Sequence, residues 1–563
     1  MTQNNSFLNE YNGVALSPIL FLKRAVLSHG DYPAVIDNGQ QWTWQQYASR
    51  CANIAIALQQ MGITKGSVVS ALLPNIHELL ELHYAVPLSG GILNALSIRT
   101  DSATLNFIFE QVNPQILVID KDYLALLEGV SFKKPIAIIL VGNTILKKIH
   151  AENSTDIPQP IFNHEIFGHE IIQYESLITR YPAETLHFHP IDEQEAISIN
   201  VTSGTSGHPK IVVYSHRGTY LNAISNILDW DMPKRPSYLW TLPMFHCNGW
   251  CFPWTIAARA GTHICIRKFD AAEAIQLMQK HQVTHYCGAP IVHYSLGREA
   301  QKQGISFSNN VYGFIAGAPP TEKMFSLLAT AGITATHVYG LTETYGPVVV
   351  CEDKHDWEAL STTEIVLKQM RQGIVSNLQG EVSVIDEKSG LAVPSDGQSI
   401  GEIAIRGNIV AAYGPASHVS SDTTSQWFFT GDLAVIDSDG YIKIIDRKKD
   451  IIISGGENIS SLELENALSS YPGVLAVAIV AKPDEYWGEV PHAFIELDHQ
   501  ISITEQELDD YICTVVARYK RPKGYTFTSL PRNANGKLLK EALRKLAKNL
   551  CPTPKSGPES AKK

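Results

Sequence analysis

The chain has 563 residues, more than one ordinary domain of about 100–200 residues can hold, so at least two domains are expected. Its 44% of hydrophobic residues supports a sizeable core and excludes disorder along the whole length. With 45 Lys plus Arg against 56 Asp plus Glu the formal net charge is −11, which argues against broad nucleic-acid binding, because that needs a basic face to release counterions.

In chain order, a helical pattern at Gln45–Met61 precedes the strand-like run Ser70–Leu73. A second helical pattern, Ser102–Gln111, precedes the runs Ile116–Ile119 and Ile136–Val141. This alternation predicts an α/β class, with parallel or mixed sheets covered by helices in a large N-terminal domain. Segment 151–190 is polar and irregular and is expected to be a surface excursion. Strands follow at Ala196–Val201 and Ile211–Tyr214. After the strand-like Gly440–Ile445 comes the charged run DRKKD at 446–450. Beyond it the pattern predicts a helix (Ser461–Ser469), a strand (Ala476–Ala481), a helix (Thr504–Val516) and a last strand at 525–530. The expected division is therefore an N-terminal domain 1–446, a small α+β domain 447–550 and a disordered Pro/Ser/Lys-rich tail 551–563.

The 8 cysteines include no C-x-x-C pair, which points to a reducing compartment. His246, Cys247 and Cys251 are close enough to suggest zinc, but a second ligand pair is missing and buried thiols are the simpler reading. No run of 18 apolar residues and no secretory pattern occurs, and the final AKK is not an address such as S-K-L. The expectation is a cytoplasmic protein without an integral membrane segment and without a nucleic-acid partner.

Three segments carry chemistry. TSGTSGHPK at 202–210 joins two strands with a loop rich in Gly, Ser and Thr, able to offer several N–H and hydroxyl donors to one anion. It is not a Walker A loop, because G-x-x-x-x-G-K-[ST] is absent. YGLTETYGP at 339–347 sets an aromatic, a hydroxyl and a carboxylate within five residues, a group that can stack a base, meet a phosphate oxygen and hold a hard cation. TGDLA at 430–434 places Asp432 where it could accept from two ribose hydroxyls. Each segment alone is weak, since Gly-rich stretches are mostly connectors and an Asp after Gly is mostly a turn residue.

In combination, and with AGAPP (316–320), DRKKDIIISGGENISSLELE (446–465), PDEYWGE (483–489) and PRNANGK (531–537), they resemble the AMP-forming acyl-CoA synthetase and adenylation superfamily, which includes firefly luciferase. The resemblance runs from about residue 15 to about residue 546. LPMFHCNGWCFPW (242–254) and ELHYAVPLSGGILNALSIR (81–99) look most like short- to medium-chain or aromatic acyl-activating enzymes. The implied reaction joins a carboxylic acid, fatty or aryl, to AMP from ATP with loss of pyrophosphate, then passes the acyl group to coenzyme A.

By this resemblance Thr202, Ser203, Gly204, Thr205, Ser206, Gly207 and Lys210 cradle the β- and γ-phosphates. Glu343 holds Mg2+, Thr342 meets a phosphate oxygen, and Tyr339 with Gly340, Gly317, Ala318 and Pro319 flanks the adenine. Asp432 and Arg447 take the ribose, and Lys537 bridges carboxylate and α-phosphate during adenylation. Lys449 falls at the position about which relatives rotate the small domain between steps. Gly455, Gly456 and Glu457 line the pantetheine path, the glycines allowing close backbone approach. His246 borders the acyl site, or is a satisfied core histidine, and Trp250 could narrow the acyl pocket or simply be core. Trp487 and Glu489 lie on the thiol-side face, with core packing an equal reading for Trp487.

Two departures stand out: Ile211 where relatives carry Gly, and an altered stretch over 411–429. A carrier-protein-loading acyl-AMP ligase and a non-catalytic nucleotide-binding protein remain as competing readings. A homodimer stays open.

Overall fold

The computed structural model describes residues 13–134, 136–142, 165–166, 169–182, 192–202, 210–413, 427–498, 501–532 and 538–550. Contacts divide the chain into two compact units, residues 1–381 with 406–426, and residues 382–405 with 427–563.

Two nine-stranded sheets form the first unit. In one, six neighbouring strands run parallel: Pro33–Asp37, Thr262–Ile264, Ser237–Leu239, His285–Gly288, Val311–Ile315 and Ile333–Leu341. Antiparallel strands close both of its edges. The other is parallel from Ala196–Thr202 through Ile92–Ala95, Val68–Leu72, Ile116–Asp120 and Ala137–Val141 to His169–Gln173. The expected mixed α/β architecture is therefore present. The strands read at 70–73, 116–119, 136–141, 196–201 and 211–214 all fall in the second sheet within two residues of their observed bounds, whereas the six parallel strands of the first sheet are not among those read from the sequence.

Local sequence explains the helices. Thr43 accepts from the Gln46 N–H while the Gln46 side chain returns to the Thr43 N–H, a capping box that starts Trp44–Gln60. Asp101 caps Ser102–Val112 by accepting from the Thr104 N–H at 2.7 Å. The helix His77–Leu88 is buried from Glu78 through Leu88, as a central helix must be. It belongs to a core cluster that draws Val69 and Val118 from one sheet and Tyr238 and Phe314 from the other. Its buried Glu81 is matched by Arg50 and by the Tyr174 hydroxyl at 2.8 Å, as a desolvated carboxylate requires.

One expectation is corrected. Segment 151–190 is not wholly an irregular excursion, because His169–Gln173 is a member of the second sheet and Tyr174–Arg180 is a helix. The apolar pair Ile171 and Ile172 is buried there, enough to tie a polar stretch into the sheet.

The second unit holds a four-stranded sheet, Glu381–Ile385, Gly401–Arg406, Phe428–Ile436 and Ile442–Arg447, and a five-stranded sheet. The helices Ser461–Ser469 and Glu505–Val515 and the strand Val474–Asp484 appear where the sequence placed helix and strand, while the strand Gly488–Leu497 that pairs with Val474–Asp484 in a long hairpin is not among those read from the sequence. The charged run 446–450 lies inside this unit. The tail 551–563 lies outside the described residues.

Candidate active site

In the first unit the strand Ile333–Leu341 leads into the short 3-10 turn Thr342–Thr344 and returns as Gly346–Val350. A Cβ on Gly340 would lie 1.8 Å from the Gly346 carbonyl oxygen, so only glycine lets the two strands close at this point. The turn is held by its backbone. The Thr342 carbonyl accepts from the Tyr214 hydroxyl at 2.6 Å, the Glu343 carbonyl from the Ala411 N–H at 2.7 Å, and the Tyr345 carbonyl from the Asn222 amide at 2.8 Å. Tyr214 and Tyr345 also stack at 3.7 Å. With three carbonyls fixed, the half-buried side chains of Thr342 and Glu343 sit on a turn that cannot swing. A carboxylate and a hydroxyl side by side form a donor set that suits a hard cation and a phosphate oxygen.

The neighbouring parallel strand Val311–Ile315 pairs Ile315 with His337, so Gly317, Ala318 and Pro319 leave the sheet close to Tyr339. Gly317 and Ala318 are exposed and Pro319 is half-buried; Gly317 has φ +90° and open space where a Cβ would stand. Both segments therefore emerge from the carboxyl ends of adjacent parallel strands, where open α/β sheets bind ligands.

Thr202 and Lys210 face each other across an antiparallel hairpin, Thr202 half-buried and Lys210 exposed. Both flanking strands are as expected, and Ile211 pairs with Val201 in that ladder, which accounts for a β-branched residue there. Ser203, Gly204, Thr205, Ser206 and Gly207 lie outside the described residues, as does Lys537.

His246 is half-buried and opens an unusual turn. Cys247, Asn248, Gly249, Trp250 and Cys251 all have positive φ, between 39° and 71°. Each non-glycine residue there costs about 1–2 kcal/mol, so the surroundings must hold the turn in place. They do so with buried asparagines. Asn200 donates to the Asn248 side chain and accepts the Asn248 N–H at 3.1 Å, and Asn226 donates to the Trp250 carbonyl at 3.0 Å. Asn75 donates to the Trp240 and Leu242 carbonyls and accepts the Met244 N–H at 2.8 Å, fixing the approach to the turn. A Cβ on Gly249 would stand 2.6 Å from the Trp240 ring. Cys247 and Cys251 are buried thiols, donating to Thr342 Oγ1 at 3.4 Å and to the Thr219 carbonyl at 3.3 Å. Trp250 is buried against Gly346.

In the second unit Asp432 is buried and paired in register with Arg447, whose Nε lies 3.2 Å from Asp432 Oδ1. The two expected ribose residues thus form one ion pair, with the guanidinium orienting the carboxylate. Lys449 is exposed. On either side of it Asp446 accepts from the Ser461 and Leu462 N–H groups at the start of Ser461–Ser469, and Asp450 pairs with Arg544. Gly455 and Gly456, with φ +59° and +90°, make the two-residue loop of a hairpin closing at Ser454 and Glu457. At Gly455 the Trp487 ring lies 2.5 Å from where a Cβ would be, while the space at Gly456 is open. Glycine is needed at 455 for ring packing and at 456 for its backbone angle. Trp487 itself is 46% exposed, so it is not core.

The first family model, AMP-binding enzyme, matches residues 22–413, and a second, the AMP-binding enzyme C-terminal domain, matches 463–537. The chain belongs to the AMP-binding enzyme family. Within this family it is 37% identical over 544 residues to a 2-methylpropanoate–CoA ligase of Humulus lupulus, covering 95% of this chain and 96% of that one. It is 37% identical over 567 residues to a peroxisomal acetate/butyrate–CoA ligase of Arabidopsis thaliana, covering 97% of each. The fold is that of an anthranilate–CoA ligase solved with anthranoyl-AMP, with a TM-score of 0.79 at 19% identity over 95% of this chain and 98% of that one. It is also that of the o-succinylbenzoate–CoA synthetase of Bacillus subtilis, with a TM-score of 0.75 at 24% identity over 93% and 97% of the two chains.

For this member of the AMP-binding enzyme family, sequence reasoning missed the asparagine cage and the left-handed turn. Asn-Gly at 248–249 is a turn signal and could have located the turn. Nothing local marks Asn75, Asn200, Asn222 or Asn226, since each acts on a segment distant in sequence. Asp37, His77 and Glu78 also went unnoticed: they offer ligand atoms within 4.8 Å of one another. His77 Nδ1 lies between the two carboxylates, at 2.9 and 3.1 Å.

Proposed function

We propose that this chain is an AMP-forming acid–CoA ligase acting on a short-chain aliphatic carboxylic acid. The observation that carries the reading is the rigid Tyr339–Gly346 turn, which offers a hydroxyl and a carboxylate together, in a chain aligned end to end with relatives named for 2-methylpropanoate, acetate and butyrate.

A carboxylate is a poor electrophile, and joining it to AMP supplies a good leaving group. The carboxylate oxygen attacks the α-phosphorus, the bond to the β-phosphate bridging oxygen breaks, and pyrophosphate leaves. The chain's task is to position the reactants and offset developing charge. In this reading Thr342 donates to a phosphate oxygen, and Glu343 holds Mg2+, which neutralises phosphate charge when bound. Tyr339, Gly340 and the 317–319 segment border the adenine, and Asp432, oriented by Arg447, accepts from the ribose. The 202–210 loop cradles the outer phosphates, and Lys537 serves the adenylation step. A thiolate of coenzyme A then attacks the acyl carbonyl and AMP leaves, with Lys449 as pivot and the 454–457 hairpin on the thiol's path. His246 and Trp250 border the acyl chain.

No helix among the described residues is long and apolar enough to cross a membrane. The sparse cysteines support a cytoplasmic site; the acetate/butyrate relative is named peroxisomal, and fractionation separates the two. None of the roles above needs a second copy, and sedimentation tests the homodimer.

The test is pyrophosphate release from Mg-ATP across short-chain, medium-chain and aryl acids, with and without coenzyme A. Acid-dependent release, accelerated by coenzyme A and strongest with acids of two to four carbons, is expected. Release that coenzyme A leaves unchanged, with adenylate retained, would indicate carrier loading instead.

A further inference from the structure

We infer that Cys247 is a positioning residue for adenylation: its thiol fixes the Thr342 hydroxyl so that the Thr342 O–H points outward to a phosphate oxygen. The inference rests on the proposed nucleotide role of Thr342 and deepens it.

Thr342 is held from two directions. Its carbonyl accepts from the Tyr214 hydroxyl at 2.6 Å, and its Oγ1 accepts from Cys247 Sγ at 3.4 Å. A hydroxyl has one proton and two lone pairs. A donor on one lone pair leaves the proton to be given elsewhere, and so biases Thr342 to act as donor. Cys247 can serve this way only while it stays protonated. Its burial, the leading cause, holds the thiol up at about 12, so it remains S–H throughout the neutral range.

The backbone geometry shows that this placement is imposed. Cys247 has φ 43° and begins five successive left-handed residues, a conformation non-glycine residues avoid. In a right-handed turn the side chain at 247 would leave the backbone in another direction. The left-handed path is enforced by Asn200 and Asn226, and Asn200 lies on the strand that ends at Thr202, where the expected phosphate loop begins. One strained turn therefore ties together the segment bordered by His246, the strand feeding the phosphate loop, and the Thr342 turn. A merely structural thiol would need none of this, since burial alone satisfies it.

The experiment measures Mg-ATP affinity by calorimetry, and acid-dependent ATP–pyrophosphate exchange, for wild type, Cys247→Ala, Cys247→Ser and Thr342→Val, and for Thr342→Val combined with Cys247→Ala. The expected result for Cys247→Ala is a loss of about 5- to 10-fold in ATP affinity, in the range for one ordinary hydrogen bond because the bond to phosphate is misdirected rather than removed, with the KM for the acid unchanged. Cys247→Ser, which keeps a donor, recovers to within about threefold. In the Thr342→Val background Cys247→Ala adds nothing, because the group it orients is gone. The inference is overturned if Ala and Ser behave alike, if the KM for the acid moves as much as ATP affinity, or if the effects of Cys247→Ala and Thr342→Val simply multiply. If Cys247→Ala fails to fold, Cys247→Ser made alone and with Thr342→Val decides: ATP affinity within about threefold of each parent supports the inference, and a larger loss in both backgrounds overturns it. Calorimetry needs no acid, so exchange that is absent with every acid while ATP still binds counts against the proposed ligase reading and leaves the affinity series to decide on Cys247. A wild type that does not bind ATP overturns both.

Discussion

Replacing Asn200 by alanine removes the side chain that pins the left-handed turn from the strand side. Two buried groups of Asn248 then lose their partner: its N–H, which donates to Asn200 Oδ1 at 3.1 Å, and its side-chain oxygen, which accepts from the Asn200 amide. Both asparagines are buried, at 2% and 0% exposure, so water cannot readily replace what is lost. Each orphaned polar group costs about 1–3 kcal/mol, which gives about 2–6 kcal/mol in total before any relaxation. Relaxation toward a right-handed turn would recover part of that, but it would move Cys247 away from Thr342. The assay pairs urea unfolding with acid-dependent pyrophosphate exchange measured well below the unfolding midpoint. The expected outcome is a stability loss of at least about 2 kcal/mol together with reduced exchange under conditions where the variant is folded. A variant within about 0.5 kcal/mol of wild type, with unchanged exchange, would refute the reasoning that Asn200 holds this turn.

Gly340→Ala is expected to abolish adenylation, because its Cβ would meet the Gly346 carbonyl at 1.8 Å; the strand pair must shift, at a cost of about 1–3 kcal/mol or more, and steady-state exchange with a melting curve checks it. Stability is expected to fall as pH drops below about 6.5. His83, His216, His293 and His337 are buried, and burial holds each at about 4, so the unfolded chain binds protons that the folded chain refuses. The contribution is complete above about 6.5 and is lost progressively toward 4, on the order of 1 kcal/mol per histidine at pH 5.5; urea midpoints that stay flat from pH 8 to 5.5 would contradict it. Arg544→Ala leaves the half-buried Asp450 without its guanidinium partner, and a loss of about 1–3 kcal/mol is expected from denaturation of the variant.

Much of the fold was legible because its strands are short β-branched runs separated by long amphipathic helices, and that periodicity survives without tertiary information. Trp44–Gln60, Ser102–Val112 and Ser461–Ser469 fall where their apolar patterns put them. The stretch 151–190 was less legible, since the two buried isoleucines that anchor His169–Gln173 are outnumbered by polar neighbours. At the site, Thr342, Glu343 and Tyr339 were readable as a local group of complementary side chains. The asparagine cage was not: its members are single buried polar residues whose partners lie up to 169 positions away, and only the fold brings Asn75 to Met244 or Asn200 to Asn248. The glycines at 340 and 455 were visible as letters, but their reason is packing against Gly346 and Trp487, which no local pattern encodes.

The most direct test of the central claim is to incubate the protein with Mg-ATP, coenzyme A and butyrate or 2-methylpropanoate and to identify every product by mass. The account predicts the acyl-CoA thioester together with AMP and pyrophosphate in equal amounts. ADP with phosphate, or AMP formation without any thioester, would contradict it.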